Sequence, residues 1–180
     1  LDAPPTGRIA QFLNVNSELA GLAKVGPIRS QADSIMTLLR SPRTAVHLTT
    51  VLEDMPVQET ADGIADLHKN DLPVGAVIVN LVRTIELDDE ARDKALLGEL
   101  PREQIEKDLD RIGIESTPEI IDGLLTEARE HAERRALEDE QRERIGELGV
   151  PTYELPRLSD GVDLGGLYEL AADLIDQGMA

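Results

Sequence analysis

The chain has 180 residues, 41% of them apolar, enough to build a domain with a real core. Its 36 acidic and 18 basic side chains leave a net charge of −18, which repels phosphate backbones and anionic lipid, so nucleic acid and stable membrane insertion are not expected. There is no Cys and no Trp, with one Phe and two Tyr, which removes disulfides, thiolate metal sites and an aromatic platform for single-stranded nucleic acid.

Residues 1–8, LDAPPTGR, read as a strand end and a loop. Residues 9–40 carry Ile9, Phe12, Leu13, Leu19 and Leu22, then Ile35, Met36, Leu38 and Leu39, which predicts two short amphipathic helices broken at Gly26-Pro27. TAVHLTTVL (44–52) is β-branched and predicts a strand. PVQETADGIADLHKN (56–70) spaces Val57, Ala61, Ile64 and Leu67 as a helix. LPVGAVIVN (72–80) is apolar almost throughout, the pattern of a strand covered on both faces in a parallel sheet, with Asn80 at its end.

Residues 81–115 are charged and predict short, solvated helices. A long helix follows from Ser116, which can form a capping box with Glu119. Glu130–Arg134, Glu138–Arg142 and Glu140–Arg144 have the spacing of exposed ion pairs, and Gly149 can end the helix. VPTYELP (150–156) predicts another strand. DLGGLYELAADLIDQG (163–178) predicts a last helix capped by Asp163, with Leu164, Leu167, Leu170, Ala171 and Leu174 on one face. Strands alternating with helices, without hairpin signals, define an α/β fold with a parallel sheet.

In such a sheet, ligands bind beyond the carboxyl ends of the strands. Three loops leave such ends here: 2–8, the segment after Asn80, and 156–166. Asp2 before Pro-Pro-Thr-Gly can hold Mg²⁺ through its water shell, and Gly7 lets backbone N–H groups approach a phosphate; a plain turn cap is the alternative. The Asn80 amide matches the N6/N7 edge of adenine, or else closes an Asx-turn. The Pro156–Gly161 loop can wall a base, or simply connect strand to helix. No G-x-x-x-x-G-K-[ST] occurs, and the three His are scattered without metal-ligand spacing.

LDAPPTGRIAQFL resembles the second switch of the arsenical pump-driving (anion-transporting, ArsA-like) ATPases and of the tail-anchored-protein targeting ATPases. VLEDMPVQETADGIADL, VGAVIVN and LPRLSDGVDLGGLYELAADL resemble that family's Glu-Thr helix, its adenine-contacting strand and its closing loop with the last helix, in the same order. The combination is most similar to the Cys-free actinobacterial members, which occur as paralogous pairs.

The resemblance implies the C-terminal half of a three-layer α/β/α P-loop NTPase, with the phosphate loop upstream of Leu1. Residues 1–180 would then be the C-terminal portion of one ATPase domain, with a helical insertion over 9–42, an acidic helical region over 81–147 and a closing strand, adenine loop and helix over 150–180. It implies switch and magnesium–phosphate roles for Asp2, Pro5, Thr6 and Gly7, with Mg²⁺ held by Asp2 through water. Asn80, Pro156 and Leu158 would bind adenine, with no catalytic residue within these 180. The implied cofactors are ATP or ADP with Mg²⁺ and no zinc, since the Cys-x-x-Cys clasp of some relatives is absent. The implied setting is cytoplasmic. The implied partners are an identical or paralogous subunit in a dimer and a protein client. The alternative is a non-catalytic partner subunit that docks through residues 81–147.

Overall fold

The computed structural model describes residues 6–9, 11–13, 15, 26–84, 87–159 and 161–179. The chain forms two compact units, Leu1–Arg83 with Gln141–Ala180, and Thr84–Glu140.

In the first unit a 3₁₀ turn, Thr6–Arg8, leads into helical residues at Ile9, Gln11–Leu13 and Val15, followed by helix α1, Pro27–Leu39. Strand β1 is Val46–Thr50, helix α2 Asp54–Lys69 and strand β2 Val74–Val82. Strand β3, Thr152–Pro156, and helix α6, Leu164–Asp176, close the unit. The three strands are parallel in the order β1-β2-β3, as the alternation of strands and helices predicts.

Helix α2 forms because its apolar positions recur every three or four residues. Val57, Thr60, Ile64 and Leu67 are all buried. Thr60 satisfies its hydroxyl by donating to the Pro56 carbonyl at 2.8 Å, so a polar residue sits in the core without an orphaned group. This stripe meets Leu48, Val77 and Val79, the inward residues of β1 and β2, which share a face because Leu48 lies opposite Val77 and Thr50 opposite Val79. Ile9, Leu13, Leu72 and Ile145 complete the cluster.

The expectation of a strand covered on both faces needs correction. Ala76 is buried, but Ile78 is half-buried, and its neighbours on that face, His47 and Thr49 of β1, are exposed. The β2 run is apolar on both sides, whereas β1 alternates strictly, so the second face is only partly covered. Gly75 serves this face: a Cβ there would lie 2.7 Å from the His47 ring and 3.0 Å from the Ala45 Cβ.

The outer edge of β3 is blocked by a side chain. The Gln177 amide accepts from the Glu154 N–H at 2.8 Å and donates to the Glu154 carbonyl at 2.7 Å, replacing the neighbouring strand at that residue.

The second unit contains α3, Asp89–Leu97, α4, Arg102–Arg111, and most of α5, Pro118–Gly146, whose last turns from Gln141 belong to the sheet unit. Asp88 caps α3 by accepting from the Ala91 N–H at 2.8 Å, and Gly98, with φ 71°, ends it. The Glu90 carboxylate, 2.6 Å from the Lys94 ammonium, raises the Lys94 pKa by hydrogen bonding and then by its charge. Arg102 of α4 pairs with Asp122 of α5. Among the described residues of this unit, only Ala95, Ile121 and Ala132 are buried apolar residues.

Two details of α5 differ from expectation. Its cap is Thr117, whose hydroxyl accepts from the Ile120 N–H at 3.4 Å, while the Ser116 hydroxyl donates instead to the Asp110 carboxylate at 2.8 Å. The helix also ends at Gly146, three residues before Gly149, whose φ of 69° turns the chain toward β3. Arg144 reaches off its own helix to Asp54 at 2.6 Å rather than back to Glu140, because an acidic group on α2 lies within reach. The i,i+4 pairs that form include Arg129–Glu133 and Arg135–Asp139.

No helix among the described residues is long and apolar enough to cross a membrane.

Candidate functional site

Because β1, β2 and β3 are parallel, their carboxyl ends share one edge, and the loops after them open there. The central feature of that edge is a break in register. Val79 lies opposite Glu154, but Val82 lies opposite Pro156, so Asn80 and Leu81 together face the single residue Leu155. This is a β-bulge, which bends the strand and re-aims a side chain at the end of a sheet.

Two local facts explain how the bulge is held. Leu81 adopts φ 60°, the left-handed region that an L side chain enters at a cost. The Asn80 Oδ1 accepts from the Leu81 N–H at 2.9 Å, satisfying a donor that the ladder has lost. The ladder resumes at once, with the Arg157 N–H donating to the Val82 carbonyl at 2.8 Å. Asn80 therefore does not end the strand, as its sequence position predicts. It lies two residues inside β2, at the bulge, because an almost continuous apolar run carries no alternation that would show a one-residue insertion in the ladder.

The left-handed Leu81 gives a testable outcome. Its side chain is more than half exposed, so little packing is lost on truncation. Leu81→Gly is expected to leave stability unchanged or raise it by up to about 1 kcal/mol, since relief at positive φ opposes the larger entropy of an unfolded glycine. Leu81→Val is expected to destabilise, because a β-branched residue is worse still at that φ. Urea midpoints of the two variants check this, and the reverse ranking would show that the side chain matters rather than the backbone.

Pro156 ends β3 beside Val82, at the same edge as Asn80. Leu158, two residues on, turns against the start of α6: a Cβ on Gly166 would lie 2.6 Å from its Cδ1. Glycine at 166 thus makes the seat for Leu158. Asp163 caps α6 by accepting from the Gly166 N–H at 2.8 Å, as predicted, so this helix N-terminus already holds a carboxylate.

Asp2 and Pro5 lie outside the described residues. Thr6 and Gly7 fall in the 3₁₀ turn, which rests against α2; Gly7 is exposed, and a Cβ there would meet nothing within 4 Å. The structure thus brings Asn80, Pro156 and Leu158 to neighbouring strand ends and their connecting loop, and it leaves the magnesium reading of Asp2 without a position. Among the described residues no group of three or more His, Cys, Asp or Glu is placed to hold a metal ion.

Sequence reasoning missed the loop after β1. It leads directly into Asp54 at the start of α2, where the Arg144 guanidinium gathers Asp54 at 2.6 Å, Gln141 at 2.7 Å and Gln58 at 3.2 Å. Arg142, two residues earlier, reaches Glu154 at 2.6 Å, opposite the residue before Asn80. Exposed arginines also follow the ends of β2 and β3, at Arg83 and Arg157. The signal available beforehand was only that an Arg directly follows β2 and another follows β3, whereas the segment after β1 carries Glu53 and Asp54.

Over 179 residues, 99% of its length, the chain is 44% identical to ATPase BagA of Mycobacterium tuberculosis strain H37Rv. It is 44% identical, over the same share, to a Mycobacterium bovis protein likewise named for an ATPase. The matched region is 53% of each of those proteins, so the chain spans about half the length of the curated relatives it matches. No family model matches the chain. A parallel α/β sheet with a bulge at its carboxyl edge therefore belongs to a chain that is similar, over 99% of its length, to about half of proteins named as ATPases.

Proposed function

We propose that this chain is the C-terminal portion of an ATP-hydrolysing switch protein of the ArsA-like and tail-anchored-protein targeting ATPase family. The observation that carries the reading is the 44% identity over 179 residues to proteins named ATPases. The bulged end of β2 and the Pro156–Leu158 loop support it, because they offer an amide and apolar walls at the edge where α/β sheets take ligands.

In this reading the Asn80 amide reads adenine: Nδ2 donates to N7, and Oδ1 uses its second lone pair for the N6 amino group while keeping the Leu81 N–H. Pro156 and Leu158 flank the base. Asp2, Pro5, Thr6 and Gly7 respond to the γ-phosphate and to Mg²⁺, with Asp2 acting through water. ATP closes a dimer with an identical or paralogous subunit, and hydrolysis releases the partner or a protein client.

The test is ATP turnover with Mg²⁺ by the 180-residue chain and by a polypeptide of the relatives' length carrying it. The longer polypeptide is expected to hydrolyse ATP and to slow when Asp2→Asn is introduced, and the 180-residue chain is expected to stay at background. Steady turnover by the short chain that Asp2→Asn abolishes would sink the reading, as would a longer polypeptide that binds no nucleotide.

A further inference from the structure

The last helix is apolar over far more of its circumference than it buries. At about 100° per residue, Leu164, Leu167, Tyr168, Ala171 and Ile175 fall on one stripe of α6. All five are exposed, the four large ones between 54% and 71%, and Val162 just before the helix is exposed at 68%. The side that faces inward is different: Gly166 is buried, Leu170 and Leu174 are half-buried, and Gln177 holds the β3 edge. The two sides adjoin, giving one apolar arc of about 200°. The acids Glu169, Asp173 and Asp176 occupy the remaining sector. A surface helix needs an apolar arc of roughly 100° and carries polar residues opposite; one that is apolar on two sides is covered on two sides.

We infer that the exposed stripe of α6 is an internal face, covered by an apolar surface from the same polypeptide, in the part that the relatives possess beyond the matched region. Those relatives are nearly twice as long as the matched segment, which supplies a covering segment of the required size. The second face of the sheet in the same unit is also left open, at His47 and Thr49, so more than one surface lacks a cover. Two other occupants fit less well. Anionic lipid is disfavoured because no Lys or Arg occurs after Arg157, whereas five acids do. A second copy, pairing through this stripe, would leave the relatives' additional length without a part in covering it. The inference rests on the reading of this chain as a portion of a longer polypeptide, and holds whether or not ATP is bound.

The chain has no Cys, so a single introduced thiol reports accessibility directly. Tyr168→Cys is made in the 180-residue chain and in the polypeptide extended by the sequence encoded with it, and the rate of labelling by a thiol reagent is measured. Labelling is expected to be fast in the short chain and at least tenfold slower in the long one, while Leu137→Cys, on an exposed position of α5, stays fast in both. In parallel, Leu167→Ser with Tyr168→Ser is expected to lower the Tm of the long polypeptide by on the order of 5 °C, and that of the short chain hardly at all. Equal labelling in both would overturn the inference, as would a gene that encodes nothing further. So would a dimer of the short chain that the double variant dissociates, or capture of the short chain by anionic vesicles.

Discussion

Leu67→Ala is expected to lower the unfolding free energy of the chain by about 2–5 kcal/mol, the range for a fully buried leucine whose cavity collapses only in part. Leu67 has no solvent exposure and sits among Val57, Ile64, Leu72, Val77 and Val79. It also lies where the backbone turns: the Leu72 N–H donates to the Leu67 carbonyl at 2.9 Å, and Asp71 between them takes φ 58°. The surroundings are fixed on one side by the β2 ladder and on the other by this turn, so the hole has few ways to close. Urea denaturation of wild type and variant measures the change, with the slope expected to be constant. Leu137→Ala provides the contrast; that residue is 61% exposed and its loss should stay within about 0.5 kcal/mol. Near-equal effects at the two positions would mean that the sheet unit lacks a tightly packed core.

The second large effect is expected at Asn80, in a polypeptide long enough to bind nucleotide. Asn80→Ala should weaken ATP binding roughly ten- to a hundredfold, the equivalent of about 1–3 kcal/mol for a buried polar partner left unpaired. The same substitution removes the bond that its Oδ1 accepts from the Leu81 N–H, so the apo protein should also lose about 0.5–1.5 kcal/mol. Asn80→Asp separates the two contributions. It keeps an oxygen for the Leu81 N–H but has no N–H to give to the base, and it adds a negative charge to a site for an anionic nucleotide. Binding should therefore fall at least as far as with alanine, while the bulge keeps its hydrogen bond. Nucleotide titration and a thermal melt without nucleotide are run on all three proteins. If both variants melt lower and bind ATP unchanged, Asn80 only closes the bulge, and the base is read elsewhere.

The sequence by itself determined the parallel α/β class, because apolar runs of strand length alternate with helical spacing and no hairpin turn lies between them. It also determined elements whose signals are local. Asp163 is the cap of α6, since an Asp three residues before an available N–H needs nothing from the rest of the fold. The charged stretch after residue 81 forms short, solvated helices because it lacks apolar positions to bury.

Only the tertiary structure decided what depends on neighbours. The β2 run is apolar almost throughout and has no alternation for a bulge to interrupt, so the bulge at Asn80–Leu81 appears only when β3 is laid beside it. Arg144 has an acid on its own helix at the right spacing, yet it pairs with Asp54, 90 residues away, because packing of α5 near α2 offers a closer arrangement. On α6 the apolar positions were legible, but not which of them face β3: Leu170 and Leu174 turn inward, whereas Leu164 and Leu167 do not. Periodicity gives a helix its apolar faces; the surface it meets decides which one is buried.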